Sequence, residues 1–322
     1  MPRPLTWLLL ALVPASIGMA LGVGSTPLGI DSLWRVLTGA DTGLDATVVL
    51  ELRLPRALSA FAVGGLLALS GVLLQVLLRN PLADPYILGV SGGAAVAALL
   101  TLIAGLAGAW VTGNAFAGAL ASMLLVFGLA RVPGESGTTR LLLTGVVVAA
   151  GWGALISLIL AVSPQAQVHG LLFWLLGDLS RPAPVGWALW ALAAGLALAF
   201  SQARALNLLA RGEGVAASLG AHIGRLRALV YVLASLLTAA AVSVAGTIGF
   251  VGLIVPHALR LLGDTDHRRL LPDAVLAGGS FLVIADTLAR SLLAPQQLPV
   301  GVITALLGVP VFLVLLHRGV RR

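Results

Sequence analysis

The stretch "GFVGLIVPHALRLLG", residues 249–263, decides how this chain is folded. It is apolar but short, and Gly252 and Pro256 interrupt it. A hydrocarbon core about 30 Å thick takes roughly 20 apolar residues in helix. Whether so short a segment crosses sets the side on which everything after it lies.

Working outward, nine other runs meet or approach a spanning length: about 7–24, 57–78, 88–109, 115–130, 141–162, 184–203, 228–246, 274–294 and 298–317. They are long and continuous, where barrel strands would be short and alternating, so they predict helices. "HGLLFWLLGDL" (169–179) is too short to span and reads as interfacial or re-entrant. The first run follows Arg3 and ends in small residues, like a signal peptide, but its length and the many runs behind it favour an uncleaved span.

Arginine placement answers the opening question. Suppose 249–263 crosses, giving ten spans with the N-terminus inside. Then Arg3, Arg79, Arg131, Arg140, Arg204, Arg211, Arg225, Arg227, Arg260, Arg268, Arg269, Arg318, Arg321 and Arg322 lie inside. Only Arg35, Arg53, Arg56, Arg181 and Arg290 lie outside. If it does not cross, everything after it inverts and the excess vanishes. The positive-inside rule favours ten spans with both termini cytoplasmic.

Composition bounds the class in the same direction. The 322 residues are 59% hydrophobic and 10% charged, with mean hydropathy +1.06, whereas soluble domains carry about 25% charged residues. A water-soluble fold could not cover its surface with so few charges. There is no cysteine, so disulfides, thiolate metal sites and cysteine nucleophiles are absent. The acids and histidines are scattered, with no H-E-x-x-H, Walker A or G-x-S-x-G pattern. No enzyme chemistry and no metal site is predicted. The net charge is +7, carried wholly by arginine. No basic run is interleaved with aromatics, so membrane orientation, not nucleic acid, explains it.

"RGEGVAASLGAHIGRLR" (211–227) is a small, charged, helix-like patch between apolar runs, and the ten-span topology puts it in the cytoplasm. Gly145, Ala149, Gly153 and Ser157 form one ridge at four-residue spacing; Gly64, Ala68, Gly71 and Gln75 form another. Such ridges let helix backbones approach in lipid, and some could line a wide pathway. In "RNPLADPYILGVSGGAA" (79–95) two prolines and a glycine pair break the helix while Asn80 and Asp84 supply polar groups. Broken backbone at a membrane edge must be satisfied by protein or water, so this segment borders a cavity. Asp286 and Arg290 sit one turn apart in an apolar run, where i,i+4 spacing lets them neutralise each other as a structural pair. His257 has no companion ligand and reads as structural. "ELRLPR" (51–56) reads as an interfacial anchor that would also suit an acidic partner.

Together, "ELRLPRALSAFAVGGLLALSGVLLQ", "RNPLADPYILGVSGGAA", "TIGFVGLIVPHALRLLGDTDHRRLLP" and "ADTLARSLLAPQQLPVGVITALLGVPVF" closely resemble the FecCD-type permeases, along nearly the whole chain and in order. These are membrane subunits of type II ABC importers for iron–siderophore, haem and cobalamin. The resemblance implies an all-α, polytopic inner-membrane protein of about ten transmembrane helices, a single permease domain over 1–322. It implies a homodimer with two cytoplasmic ATPase subunits below and a periplasmic substrate-binding protein outside. The chain itself would bind no cofactor; ATP and Mg²⁺ would be used by the ATPase partner.

The resemblance also implies site residues. Two short coupling helices at about 208–227 would seat on the ATPase through Glu213, Ser218, Leu219 and Gly220, with Gly214 a departure from the family pattern. Arg53, Arg56 and Arg290 would meet acidic residues of the binding protein. Thr138 and Thr139, in "SGTTR" (136–140), would form one gate, and Asn80 and Leu82 a second constriction. Two small, apolar copies would enclose a pathway for a bulky ligand by alternating access. The rival reading, a stand-alone secondary transporter or channel, needs intramembrane ionisable groups for ion coupling; beyond Asp286 and Arg290 the spans offer almost none. A membrane enzyme would need a clustered acid, base or metal set.

Overall fold

The computed structural model describes residues 4–24, 28–130, 138–180, 185–220 and 222–319. Among these the secondary structure is helical, without strands. The α-helices run in the order α1 (Pro4–Gly22), α2 (Ile30–Leu37), α3 (Leu44–Thr47), α4 (Leu54–Leu77), α5 (Val90–Ile103), α6 (Ala109–Ala130), α7 (Thr138–Val162), α8 (Gln165–Leu175), α9 (Val185–Ser201), α10 (Ala203–Ala210), α11 (Glu213–Ser218), α12 (Ile223–Ala245), α13 (Val251–Leu261), α14 (His267–Ser291) and α15 (Val300–Gly319). A π-turn at Val48–Arg53 leads into α4, and a 3-10 turn at Pro85–Leu88 leads into α5.

Six helical stretches are long and apolar enough to cross a membrane, and α9 with α10, bent by 61°, makes a seventh. Shorter apolar helices are Val90–Ile103, Val251–Leu261 and Val300–Val314. Each predicted run is a helix; what the runs did not announce are α2, α3 and the π-turn between the first two spans.

Helix α4 is the axis of the bundle, packed against α14, α12, α13 and α9. It is apolar all round and buried nearly throughout, the mark of a helix enclosed by others. Its small ridge explains the closeness. A Cβ on Gly64 would lie 2.2 Å from the carbonyl oxygen of Gly278 in α14, and one on Gly71 1.9 Å from that of Gly252 in α13. Backbone meets backbone there, which only small residues allow.

Polar contacts fix which helix ends share a face. Glu213 of α11 pairs with Arg79, just past the end of α4, and with Arg227 in the first turns of α12. Asn207 of α10 bonds Asp266 and His267 at the start of α14. Thr6 of α1 donates to Asp273 of α14 at 3.0 Å. At the opposite end lie the start of α4 and the finish of α14, joined by Arg56 and Asp286.

This arrangement bears on 249–263. Helix α13 has 11 residues, about 16 Å at 1.5 Å per residue, too short to cross alone. The missing length is backbone outside helix. Gly246 ends α12; Thr247 donates to the Leu175 carbonyl and Ile248 exchanges two hydrogen bonds with the Tyr86 hydroxyl. Helix α13 then runs back until Arg260 bonds Gln75 in the last turn of α4, beside Arg79 and Glu213. The chain therefore returns to the end from which α12 set out, as the arginine distribution requires.

Helix α8 is seated rather than loose. The Asp178 amide donates to Ala245, and the Val300 and Gly301 amides donate to Gly177 and Leu176.

Candidate functional site

Three places gather the predicted residues. The first is the polar patch at the α10–α11 end. It is not one continuous helix. Helices α10 and α11 are separate short pieces, and Ile223–Arg227 already belongs to α12. The breaks are dictated by glycine: Gly212 (φ 114°) precedes α11 and Gly220 (φ 82°) follows it, left-handed conformations that other residues adopt only with strain. Within α11 the Ser218 hydroxyl donates to the Val215 carbonyl, while Val215 and Leu219 stand exposed. Glu213 bridges Arg79 at 3.5 Å and Arg227 at 3.4 Å. One carboxylate thus ties the short helix both to the loop after α4 and to α12. An apolar outer edge and a charged root is a shape that can bear on another protein and pass a displacement inward.

Next to it, the Asp266 side chain caps α14 by accepting from the Arg268 amide and from the Asn207 side chain. The bond from Asn207, then the Arg268 amide, hold this carboxyl below the usual carboxylate range.

The second place is the broken loop after α4. The Asn80 side chain accepts from the Leu82 amide at 2.9 Å and Asp84 from the Tyr86 amide at 2.8 Å, two local turns that replace helix. The 3-10 turn then packs into the bundle: a Cβ on Gly145 would lie 2.6 Å from the Ile87 carbonyl oxygen, and Gly89 faces Gly145 and Ala149. The α7 ridge therefore divides. Its first half, Gly145 and Ala149, holds the broken loop; its second half, Gly153 and Ser157, is exposed, and a Cβ on Gly153 would meet nothing within 4 Å among the described residues. Only 11% of the apolar window of α7 is buried. Thr138 and Thr139 open α7, but their side chains, like residues 136 and 137, lie outside the described residues.

The third place is the arginine cluster at the opposite end, and here one expected partnership is corrected. Asp286 is bonded not by Arg290, which lies only within its field, but by Arg56. It accepts from Arg56, whose Nε lies 3.1 and 2.9 Å and Nη2 2.8 Å from the carboxylate oxygens. Arg290 instead donates to the Ala20 carbonyl, and Arg53 to the Leu21 and Gly22 carbonyls. Those carbonyls end α1, where the last turn leaves acceptors unsatisfied and carries partial negative charge. Two arginines from other elements supply donors and charge. Local i,i+4 spacing lost to a partner on α4 that can bind both oxygens at once. All three guanidiniums are turned inward: Arg53 is 6% and Arg290 9% exposed, and Arg56 also holds Gln297.

Sequence reading missed Gln297, the Arg79 and Arg227 partners of Glu213, and the half-buried pair Thr6–Asp273, since none is close in sequence to its partner. Gln75 had a signal: it closes the small ridge of α4 and bonds Leu253 and Arg260. Among the described residues no three His, Asp or Glu side chains come together as a metal site.

Residues 9–318 of the chain are matched by a family model for the FecCD transport family. The chain belongs to the FecCD transport family. It is a multi-pass membrane protein and an ABC transporter permease. It is 42% identical to the cobalamin import system permease protein BtuC of Halobacterium salinarum, over 99% of this chain and 91% of that one. It is 39% identical to the hemin transport system permease protein HmuU of Yersinia pestis, over 98% and 95%. Among solved structures it matches one described as an inward-facing conformation of a metal-chelate type ABC transporter, at TM-score 0.84 and 31% identity, covering 97% and 98% of the two chains. The α10–α11 step and the broken loop both lie within the residues matched to the FecCD permeases.

Proposed function

We propose that this chain is the membrane subunit of an ATP-driven importer that moves a bulky chelate, haem or cobalamin inward by alternating access. It would act as a homodimer in the inner membrane, spanning ten times with both termini cytoplasmic. Two ATPase subunits would bind beneath it, using ATP and Mg²⁺, and a periplasmic binding protein would dock outside. The chain contributes no enzyme chemistry. The observation that carries the reading is the α10–α11 step, rooted by Glu213 in both the α4 loop and α12. A displacement of the ATPase applied to Val215 and Leu219 would reach two spanning helices through one carboxylate. The half-ridge at Gly153 and the exposed length of α7 suit a face that meets the second copy or lines the pathway between copies. Asn80, Leu82, Thr138 and Thr139 are proposed as gates at its inner end, and Gly145 and Ala149 as the hinge seat for the broken loop.

Docking of the binding protein is proposed at the face over Arg56 and Gln297. Arg53 and Arg290 already serve α1 carbonyls, so acidic groups of the partner would reach them only by displacing those bonds. The test is reconstitution: purified chain with its ATPase and binding protein in liposomes, supplied with cobalamin, haem and a ferric siderophore in turn. ATP-dependent uptake of one supports the reading. Uptake driven by an ion gradient without ATPase would contradict it and favour a secondary transporter.

A further inference from the structure

At the α10–α11 end a cavity of about 280 Å³ opens among the ends of α4, α10, α13 and α14. Its lining includes Gln75, Arg79, Ala210, Arg260, Thr265 and His267. Two arginines therefore line a space beside the α10–α11 step. Arg79 is half in water and bonded to Glu213 across 3.5 Å. Arg260 is held by one nitrogen to the side-chain oxygen of Gln75.

His267 adds a second, independent observation. It is 2% exposed, and its Nε2 has no hydrogen-bond partner. Its other nitrogen, Nδ1, lies 2.6 Å from the side-chain oxygen of Asn207. That amide is oriented by its NH₂, which donates to Asp266 at 2.7 Å. Nδ1 must therefore carry the proton toward Asn207, which leaves Nε2 as a buried lone pair without a donor. Buried polar groups without partners are rare in folded proteins.

We propose that this cavity binds a phosphate group, with Arg79 and Arg260 holding its oxygens and His267 accepting from a hydroxyl of the same molecule. A carboxylate offers only acceptors. A hydrogenphosphate, or a phosphate bearing glycerol, offers acceptors for two guanidiniums and a hydroxyl for Nε2. The cavity lies where apolar helices end, the level at which basic pockets between spanning helices take lipid headgroups. Bound there, the phosphate would brace Arg79 and Arg260, and so the loop after α4 against α13 and α14, beside the α10–α11 step. The inference does not depend on which cargo the permease carries, or on its ATPase.

Two sources share this chemistry, and two arms separate them. In one, protein stripped of lipid in neutral detergent is titrated with inorganic phosphate by calorimetry, at constant ionic strength against chloride. In the other, protein from nanodiscs of phosphatidylcholine, with or without phosphatidylglycerol, is examined by native mass spectrometry for retained lipid. Saturable binding in the first arm alone identifies free phosphate; retention of phosphatidylglycerol alone identifies the headgroup. Either should weaken at least about tenfold in Arg79→Gln and in Arg260→Gln, the expected loss of one charge-assisted contact. His267→Phe should weaken it as well. Arg79→Gln, at a half-exposed position, carries the test if Arg260→Gln does not accumulate. No binding in either arm, or binding unchanged in the arginine variants, overturns the proposal.

Discussion

Replacing Asp286 by Asn tests the arginine cluster most sharply. The carboxylate is 3% exposed and receives three contacts of 2.8–3.1 Å from Arg56. Removing one partner of a buried pair costs about 3–5 kcal/mol, because the other charge is left uncompensated. Arg56 keeps 15% of its side chain in solvent, which lowers that figure. The carboxylate also offsets the repulsion of Arg290 by Arg56 and, less, by Arg53, which raises it. The expected loss is therefore about 3 kcal/mol, read from equilibrium unfolding in mixed micelles followed by tryptophan fluorescence. A double-mutant cycle then decides the partner. Asp286→Asn with Arg56→Met should show coupling of about 2–3 kcal/mol, and Asp286→Asn with Arg290→Met about 1 kcal/mol or less. A larger coupling to Arg290 than to Arg56 would refute the geometry and restore the pairing expected from i,i+4 spacing.

The other predictions concern packing, the α10–α11 step and pH. Gly71→Ala should destabilise by about 1–3 kcal/mol or more, because its Cβ would meet the Gly252 carbonyl at 1.9 Å and backbone cannot rotate away; Gly153→Ala, with nothing within 4 Å, should change unfolding little. Glu213→Gln should cost less than about 1 kcal/mol of stability, since partly exposed pairs contribute about 0–1 each, yet should lower cargo moved per ATP hydrolysed; unchanged coupling would remove Glu213 from the transmission path. Asp266 is held below the ordinary carboxylate range in the folded chain, so its contribution is present above the unfolded value of about 3.9 and is lost as pH falls through the folded one. Asp266→Asn should flatten that acid limb of the unfolding curve.

Much of the fold was legible because the bilayer leaves few alternatives: every long apolar run is a helix, and the arginine excess already required 249–263 to return. What composition could not show is how it returns. A pattern of hydropathy counts apolar residues but does not distinguish helix from the non-helical Gly246–Phe250 segment, where the Tyr86 hydroxyl satisfies both backbone groups of Ile248 and the Thr247 hydroxyl donates to the Leu175 carbonyl. The ridge of α4 was read correctly as packing, since glycine spacing is a local property. The ridge of α7 was not divisible from sequence, because Gly145 and Gly153 are alike until the broken loop is seen against only one of them. The arginine cluster shows the same limit. Spacing of four within one helix is visible in a sequence, whereas Arg56 and Asp286 are 230 residues apart and meet only through the packing of α4 on α14.

The central claim is that work done by an ATPase enters this permease through the short helix between Gly212 and Gly220. The most direct measurement compares ATP-dependent cargo uptake in liposomes by the intact complex and by one whose Val215 and Leu219 are changed to Asp. The account predicts that the altered chain still folds and dimerises, while uptake falls to background and ATP hydrolysis no longer responds to loaded binding protein. Full uptake at the normal ratio of cargo to ATP, with those two side chains charged, would contradict it.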